Sequence, residues 1–238
     1  GNAVTTGVNN TIIGGLAGDA LTTGAQNTVL GTFALTTDDL GSYTTALGYN
    51  ALSVQNYATA TDSYNTAVGG RAGEAVTTGV KNTLIGGLAG DALTDSDFNT
   101  AVGYAALTSD TLGKKSVAIG YATLNEQNFT TATDSYNTAV GHAAGEGMTV
   151  GIQNTFIGAL AGDVTTDADY NTAVGVGAMG TNILGSRNTA LGRNALTTQN
   201  PATAVDMYNT AVGFNAGGAV TTGTANTLIG GEAGNAIT

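Results

Sequence analysis

The chain has 238 residues, of which 37 are Gly; Cys and Trp are absent, and Pro and His occur once each. That composition excludes a disulfide scaffold, a thiolate metal site and a cysteine nucleophile, and it lacks the proline and third-residue glycine of collagen. Six basic against seventeen acidic residues give a formal charge of −11 and a pI near 4.1, so nucleic acid is not an expected partner. No apolar run approaches the ~20 residues of a membrane span, and 42% hydrophobic with only 10% charged residues is not the composition of a disordered chain.

Read from the N-terminus, the string Asn-Thr-x-aliphatic-Gly starts at Asn10, Asn27, Asn65, Asn82, Asn99, Asn137, Asn154, Asn171, Asn188, Asn209 and Asn226. Variant copies start at Thr44 and Ser116, making 13 units. Their spacing is 17 residues, lengthened to 21 for the units that begin at Thr44, Ser116 and Asn188. Three units of 17 and one of 21 make a super-repeat of 72 residues, and residues 65–136 match 137–208 without gaps at 38 of 72 positions. We place no domain boundary: residues 1–238 read as one repeat array, opening and stopping in mid-unit, and are expected to be a fragment of a longer fibre.

Seventeen residues are too few for a helical-repeat hairpin, which needs ~33. The β-branched Thr-x-Val-Gly core reads as a strand with a corner after it. In the unit at Asn65, Thr66–Val68 is expected to be one strand and residues 71–77 a second, closed by Thr78-Gly79. The fold class is therefore all-β, a parallel β-solenoid or β-roll of 17- and 21-residue coils. Gly at position five suits a corner that has no room for a side chain. Asn at position one either stacks as an amide ladder or occupies a left-handed corner.

Positions three and four are both apolar, as in Ile12-Ile13, Leu84-Ile85 and Phe156-Ile157. Neighbouring strand residues face opposite ways, so both faces require cover. Position four, with the Thr of position two, is assigned to the coil interior. Position three is assigned to a face that needs a neighbour, which predicts self-association along a column repeating every ~4.8 Å.

Lys115-Ser116-Val117-Ala118-Ile119-Gly120-Tyr121-Ala122 resembles the head repeat of trimeric autotransporter adhesins. The NTAVG form, as in residues 99–106 and 171–178, is similar to repeats of bacterial surface and viral tail-fibre proteins. The resemblance covers all 13 units and implies a left-handed, homotrimeric, extracellular β-roll on a virion or bacterial surface. It implies attachment to a host-surface glycan or protein receptor, without catalysis or cofactor. The units here are longer than the adhesin-head unit, so the coil shape is expected to differ.

Candidate chemistry is sparse. The one histidine, His142, follows a corner glycine and reads as a surface residue. Equivalent carboxylates one super-repeat apart, such as Glu74 and Glu146, would lie ~19 Å apart, beyond the ~5–9.5 Å of a glycosidase pair. No catalytic residue is assigned. Asp38-Asp39, residues 94–97 and residues 166–169 offer two carboxylates each, short of the six to eight oxygens of calcium, so no metal site is assigned. The residues before each Asn run Tyr64, Lys81, Phe98, Lys115, Tyr136, Gln153, Tyr170, Arg187, Tyr208, which favours stacked cation–π pairs over a carbohydrate surface. In the 21-residue units, four-residue insertions are expected to protrude, with Tyr57, Phe129 and Pro201 as candidate surface-binding residues. The rival readings are an ice-binding solenoid built on the Thr column, disfavoured by the inward parity assigned to position two, and a polysaccharide-cleaving tailspike, disfavoured because no cleft breaks the repeat.

Overall fold

A computed structural model describes residues 3–237. Among them there is no helix, and the chain is a parallel β-solenoid of about thirteen coils, one per repeat. Its contacts cluster into two compact units. One runs up to Ser116 and includes Asn128–Thr133; the other comprises Val117–Gln127 and the residues from Asp134 onward.

In the first unit each coil contributes one three-residue strand: Thr11–Ile13, Thr28–Leu30, Thr45–Leu47, Thr66–Val68, Thr83–Ile85 and Thr100–Val102. They pair in parallel with equivalent residues opposite, Thr66 on Thr83, Ala67 on Leu84 and Val68 on Ile85. The second unit repeats this from Val117–Ile119 to Thr227–Ile229, with Phe156 between Ala139 and Ala173. Coil length is thus absorbed outside the strand. The extra residues of the long units form two-residue strands: Thr61–Asp62 pairs with Gly41–Ser42, and Val205–Asp206 with Gly185–Ser186.

The expected second strand is not formed. Residues 71–75 are turns and Thr77 a bend, closed by Ala72 N–H to Gly69 O (3.3 Å), Glu74 N–H to Arg71 O (3.2 Å) and Val76 N–H to Gly73 O (3.0 Å). Arg71 and Gly73 adopt φ of +61° and +59°, and left-handed residues alternating with right-handed ones break the extended run a strand needs. The turns are still tied to neighbouring coils, for instance Gly73 N–H to Ala89 O (2.9 Å) and Ala75 N–H to Asp91 O (2.9 Å). Backbone groups on this side are therefore satisfied coil to coil without a sheet.

Position five requires glycine for two reasons that act together. At Gly86 φ is +135°, and a Cβ there would stand 2.3 Å from the Gly103 carbonyl oxygen of the adjacent coil. The Asn column forms the ladder, bonded chiefly to backbone and joined amide to amide at some steps, as where Asn188 Nδ2 donates to Asn171 Oδ1 and Asn226 Nδ2 to Asn209 Oδ1, both at 3.1 Å. Asn82 Oδ1 accepts from Asn99 N–H at 2.9 Å, and its Nδ2 donates to Ser96 O at 2.7 Å. Asn10, Asn27, Asn65, Asn137, Asn154 and Asn171 repeat both bonds. The left-handed corner belongs to the residue before, such as Lys81 with φ +59°.

The parity of the strand is the reverse of the sequence expectation. Position three is inside: Ala46, Ala67, Leu84, Ala101, Phe156 and Ala190 are fully buried. Position four points out: Leu47, Val68, Val102 and Val140 are half-buried, and exposure rises from 38% at Ile85 and Ile119 to 71% at Ile229. The reason is volume. Position three is usually Ala, which fits a thin interior already filled by Leu35, Leu52, Leu93 and Leu107 from the turn side, whereas a β-branched Ile or Val in every coil would overfill it.

Candidate functional site

The outward face of the strands carries the Thr of position two and the aliphatic of position four, side by side in every coil except at Val117. On one side lies the column before the Asn, with Tyr64, Phe98, Tyr136 and Tyr208 about half exposed. On the other, beyond the corner glycine, lies position six, with Tyr49, Tyr104, Tyr121 and Phe214 also about half exposed. None of the seventeen Asp and Glu occupies any of these four columns, while Lys81, Lys115, Arg187 and Arg193, four of the six Lys and Arg, do. Within each unit an acidic chain thus keeps Asp and Glu out of these columns, with an apolar stripe at their centre, and carboxylates reach only the edge, as Asp206 does at Tyr208 (3.1 Å).

The aromatic and basic residues before the Asn stack along the column. Tyr43 and Tyr64 are parallel, with centroids 5.0 Å apart. The Lys81 ammonium lies 5.1 Å from the Phe98 ring, and the Arg187 guanidinium 4.5 Å from Tyr170 and 6.0 Å from Tyr208. Arg187 also donates to Asp206 Oδ2 at 2.8 Å, and this hydrogen bond holds the exposed guanidinium above its usual pKa.

The three residues picked out in the long units are turned inward. Tyr57 and Phe129 are each 5% exposed, and Pro201 is buried. The Tyr57 hydroxyl donates to Gly79 O at 2.9 Å and accepts from Asn65 Nδ2 at 3.2 Å. Burial, reinforced by the Asp38 carboxylate, pushes its phenol pKa upward. The exposed surface of the insertions is instead Ala58-Thr59-Ala60, Thr130-Thr131-Ala132 and Ala202-Thr203-Ala204. A four-residue insertion in a laddered solenoid has to satisfy its backbone, and these aromatics seal it against the coil.

The acidic corners are engaged coil to coil. Asp97 accepts from Val80 N–H (2.9 Å) and from Lys114 Nζ (2.6 Å), Asp95 from the Thr78 hydroxyl (2.8 Å), and Asp169 from Ile152 N–H (2.8 Å). Among the described residues no group of three His, Cys, Asp or Glu is placed to hold a metal ion. His142 is exposed and stacks on Tyr121 with centroids 5.1 Å apart. A shallow depression lined by Glu126, Glu146, Asp163 and Thr166 gathers three carboxylates. Asp163 Oδ1 is buried without a hydrogen-bond partner, and burial followed by Glu146 raises the Asp163 pKa. The cause is local: the equivalent Asp91 receives the Thr108 hydroxyl at 2.5 Å, and in the third super-repeat that Thr is Gly180.

Two buried carboxylates, Asp38 and Asp110, hold the same coil position in the interior. Asp38 is fully buried, accepting from Gly41 N–H at 3.0 Å and from Gln55 Nε2 at 2.7 Å. Gln55 Oε1 in turn accepts from Asn65 Nδ2 at 2.8 Å. Desolvation outweighs these bonds and raises the Asp38 pKa. From the sequence Asp38 reads as part of an acidic corner; its alternation with Leu21 and Val76 at the same coil position is the signal that it faces inward.

Comparison with family models, with curated proteins and with solved structures returned no match.

Proposed function

We propose that the chain is a structural repeat segment of an extended attachment fibre, assembled as a homotrimer on a virion or bacterial cell surface and without catalytic activity. Its partners on this reading are further copies of itself and a host-surface glycan or protein receptor. The observation that carries the reading is the strand face whose columns contain no Asp or Glu, with its central column of Ile, Val and Leu. Covering the exposed half of one such side chain is worth roughly half of the ~1.5–3 kcal/mol of full burial, and the column repeats in every coil. Parallel copies set the same column against itself, which keeps their acidic flanks apart. The number three comes from the adhesin-head resemblance.

Light scattering at several concentrations tests this. The expected species has about three times the 23.4 kDa chain mass, and Ile119→Asp with Ile157→Asp returns it to a monomer with an unchanged β-sheet circular dichroism spectrum. A parent chain that is monomeric at every concentration overturns the proposal.

A specific observation favours a second reading. Thr at position two lies on the outward face, so the parity argument against an ice-binding solenoid is gone. Hydroxyl and methyl groups recurring at the ~4.8 Å strand spacing form an ordered array for water. Thermal hysteresis at millimolar protein, abolished by Thr83→Lys and Thr155→Lys, is the expected sign of this activity; its absence from the parent chain removes the reading.

A further inference from the structure

We infer that the four-coil block of 72 residues, and not the single coil, is the unit by which this chain can be lengthened or shortened. Every coil shares the strand-side rules, so on backbone grounds any coil could follow any other. The interior imposes a stricter order.

Position three carries a large residue once per block: Ile12, Leu84, Phe156 and Leu228, against Ala in most other coils. Each of the last three is clasped by two glycines at position nine, one in its own coil and one in the coil before. A Cβ on Gly73 or Gly90 would meet Leu84 at 2.7–2.8 Å, and on Gly145 or Gly162 would meet Phe156 at 2.7–2.9 Å. Around Leu228, the corresponding distances for Gly217 and Gly234 are 3.1 and 2.7 Å. In the two middle coils of a block, position nine is instead Leu or Met, as in Leu35 and Leu52, and Met179 and Leu196, all buried.

Position twelve trades in the opposite sense. Where position nine is Gly, it is Leu21, Val76, Leu93, Met148 or Val220, with Thr165 as the polar departure. Where position nine is Leu or Met, it is a buried polar residue joined to its counterpart in the next coil: Gln55 Nε2 to Asp38 Oδ2 at 2.7 Å, and Gln199 Nε2 to Asn182 Oδ1 at 3.4 Å. A coil is thus complementary to particular neighbours. Removing residues 82–98 takes out Leu84 and leaves Gly73 facing a void; removing 154–170 does the same for Phe156. Removing residues 82–153 joins equivalent coils, setting Gly73 against Phe156 as Gly145 is, with Val76 in the place of Met148. On the fibre reading, length would change in steps of four coils, ~19 Å; the packing argument itself does not depend on that reading.

Thermal unfolding of the three deletion variants, followed by circular dichroism and compared with the full chain, decides it. The expected order is inverted with respect to size. The 72-residue deletion retains the β-sheet spectrum and melts within ~3 °C of the parent. Each 17-residue deletion melts at least ~6 °C lower, on the scale of ~2–4 °C per kcal/mol for a chain of this size, or does not fold. A melting temperature that falls steadily with the number of residues removed overturns the inference, as does a 72-residue deletion that fails to fold. Scattering mass on the same variants keeps this separate from the trimer proposal, since loss of packing order and loss of association are read independently.

Discussion

The two sides of each coil obey different rules. On the strand side, Gly at position five never varies and Asn at position one is replaced only by Thr44 and Ser116; on the turn side, positions nine and twelve change with a four-coil period. The difference follows from what touches what. Strand-side residues meet the backbone of the next coil, with a Gly86 Cβ 2.3 Å from a carbonyl oxygen, and a backbone at fixed spacing does not move aside. Turn-side residues meet other side chains, whose volumes can be exchanged between positions as long as the sum is kept.

Breaking the strand side should therefore cost most. Gly86→Ala forces a φ of +135° on a residue with a Cβ and drives that Cβ into Gly103 O; a loss of about 4–6 kcal/mol is expected from the conformational and overpacking terms together, readable in urea unfolding. Phe156→Ala, on the tradable side, should lose about 3–5 kcal/mol for the cavity, and adding Gly162→Leu in the same chain should recover part of it. A glycine replacement at position five has no such partner, and recovery there by any second substitution would break the comparison. Asn82→Ala removes the acceptor for Asn99 N–H and the donor to Ser96 O, so about 2–3 kcal/mol should be lost.

Two smaller changes sharpen the comparison by using the molecule's own variants. Asp38 and Asn182 hold the same interior position; Asn182 Oδ1 accepts from Gly185 N–H at 3.0 Å while its Nδ2 donates to Gly185 O at 2.8 Å. Burial raises the Asp38 pKa above its ordinary 3.8, so the neutral acid favours the folded state and ionisation opposes it. The penalty is absent below the unfolded-state pKa and grows as pH rises through the folded one. Asp38→Asn should thus melt higher than the parent at pH 7.5, with the gap closing as pH is lowered toward 4; a gap independent of pH would mean that the carboxylate charge is not what matters. Gly180→Thr should supply the hydroxyl that Asp163 Oδ1 lacks, as Thr108 does for Asp91, raising stability by about 0.5–1.5 kcal/mol.

The repeat, the parallel solenoid and the corner role of Gly at position five were all legible in the residue spacing, because stacking at one backbone spacing stamps the same demand on every coil. The stacking of Lys81 on Phe98 and of Arg187 on Tyr170 was legible for the same reason. Less was legible at the sites. Tyr57, Phe129 and Pro201 stand in insertions, and insertion length says nothing of which way a side chain turns; Tyr57 is held inward by Gly79 O and Asn65, and Phe129 lies against Gly113 of the preceding coil.

By itself the sequence determined the period, the strand, the glycine column and the separation of acidic residues from four columns. Only the tertiary structure decided the parity of positions three and four. Alternation states that neighbours face opposite ways, not which way is in; that choice was made by Leu and Met side chains arriving from the turn side, which left room for alanine on the strand and pushed the larger aliphatics outward.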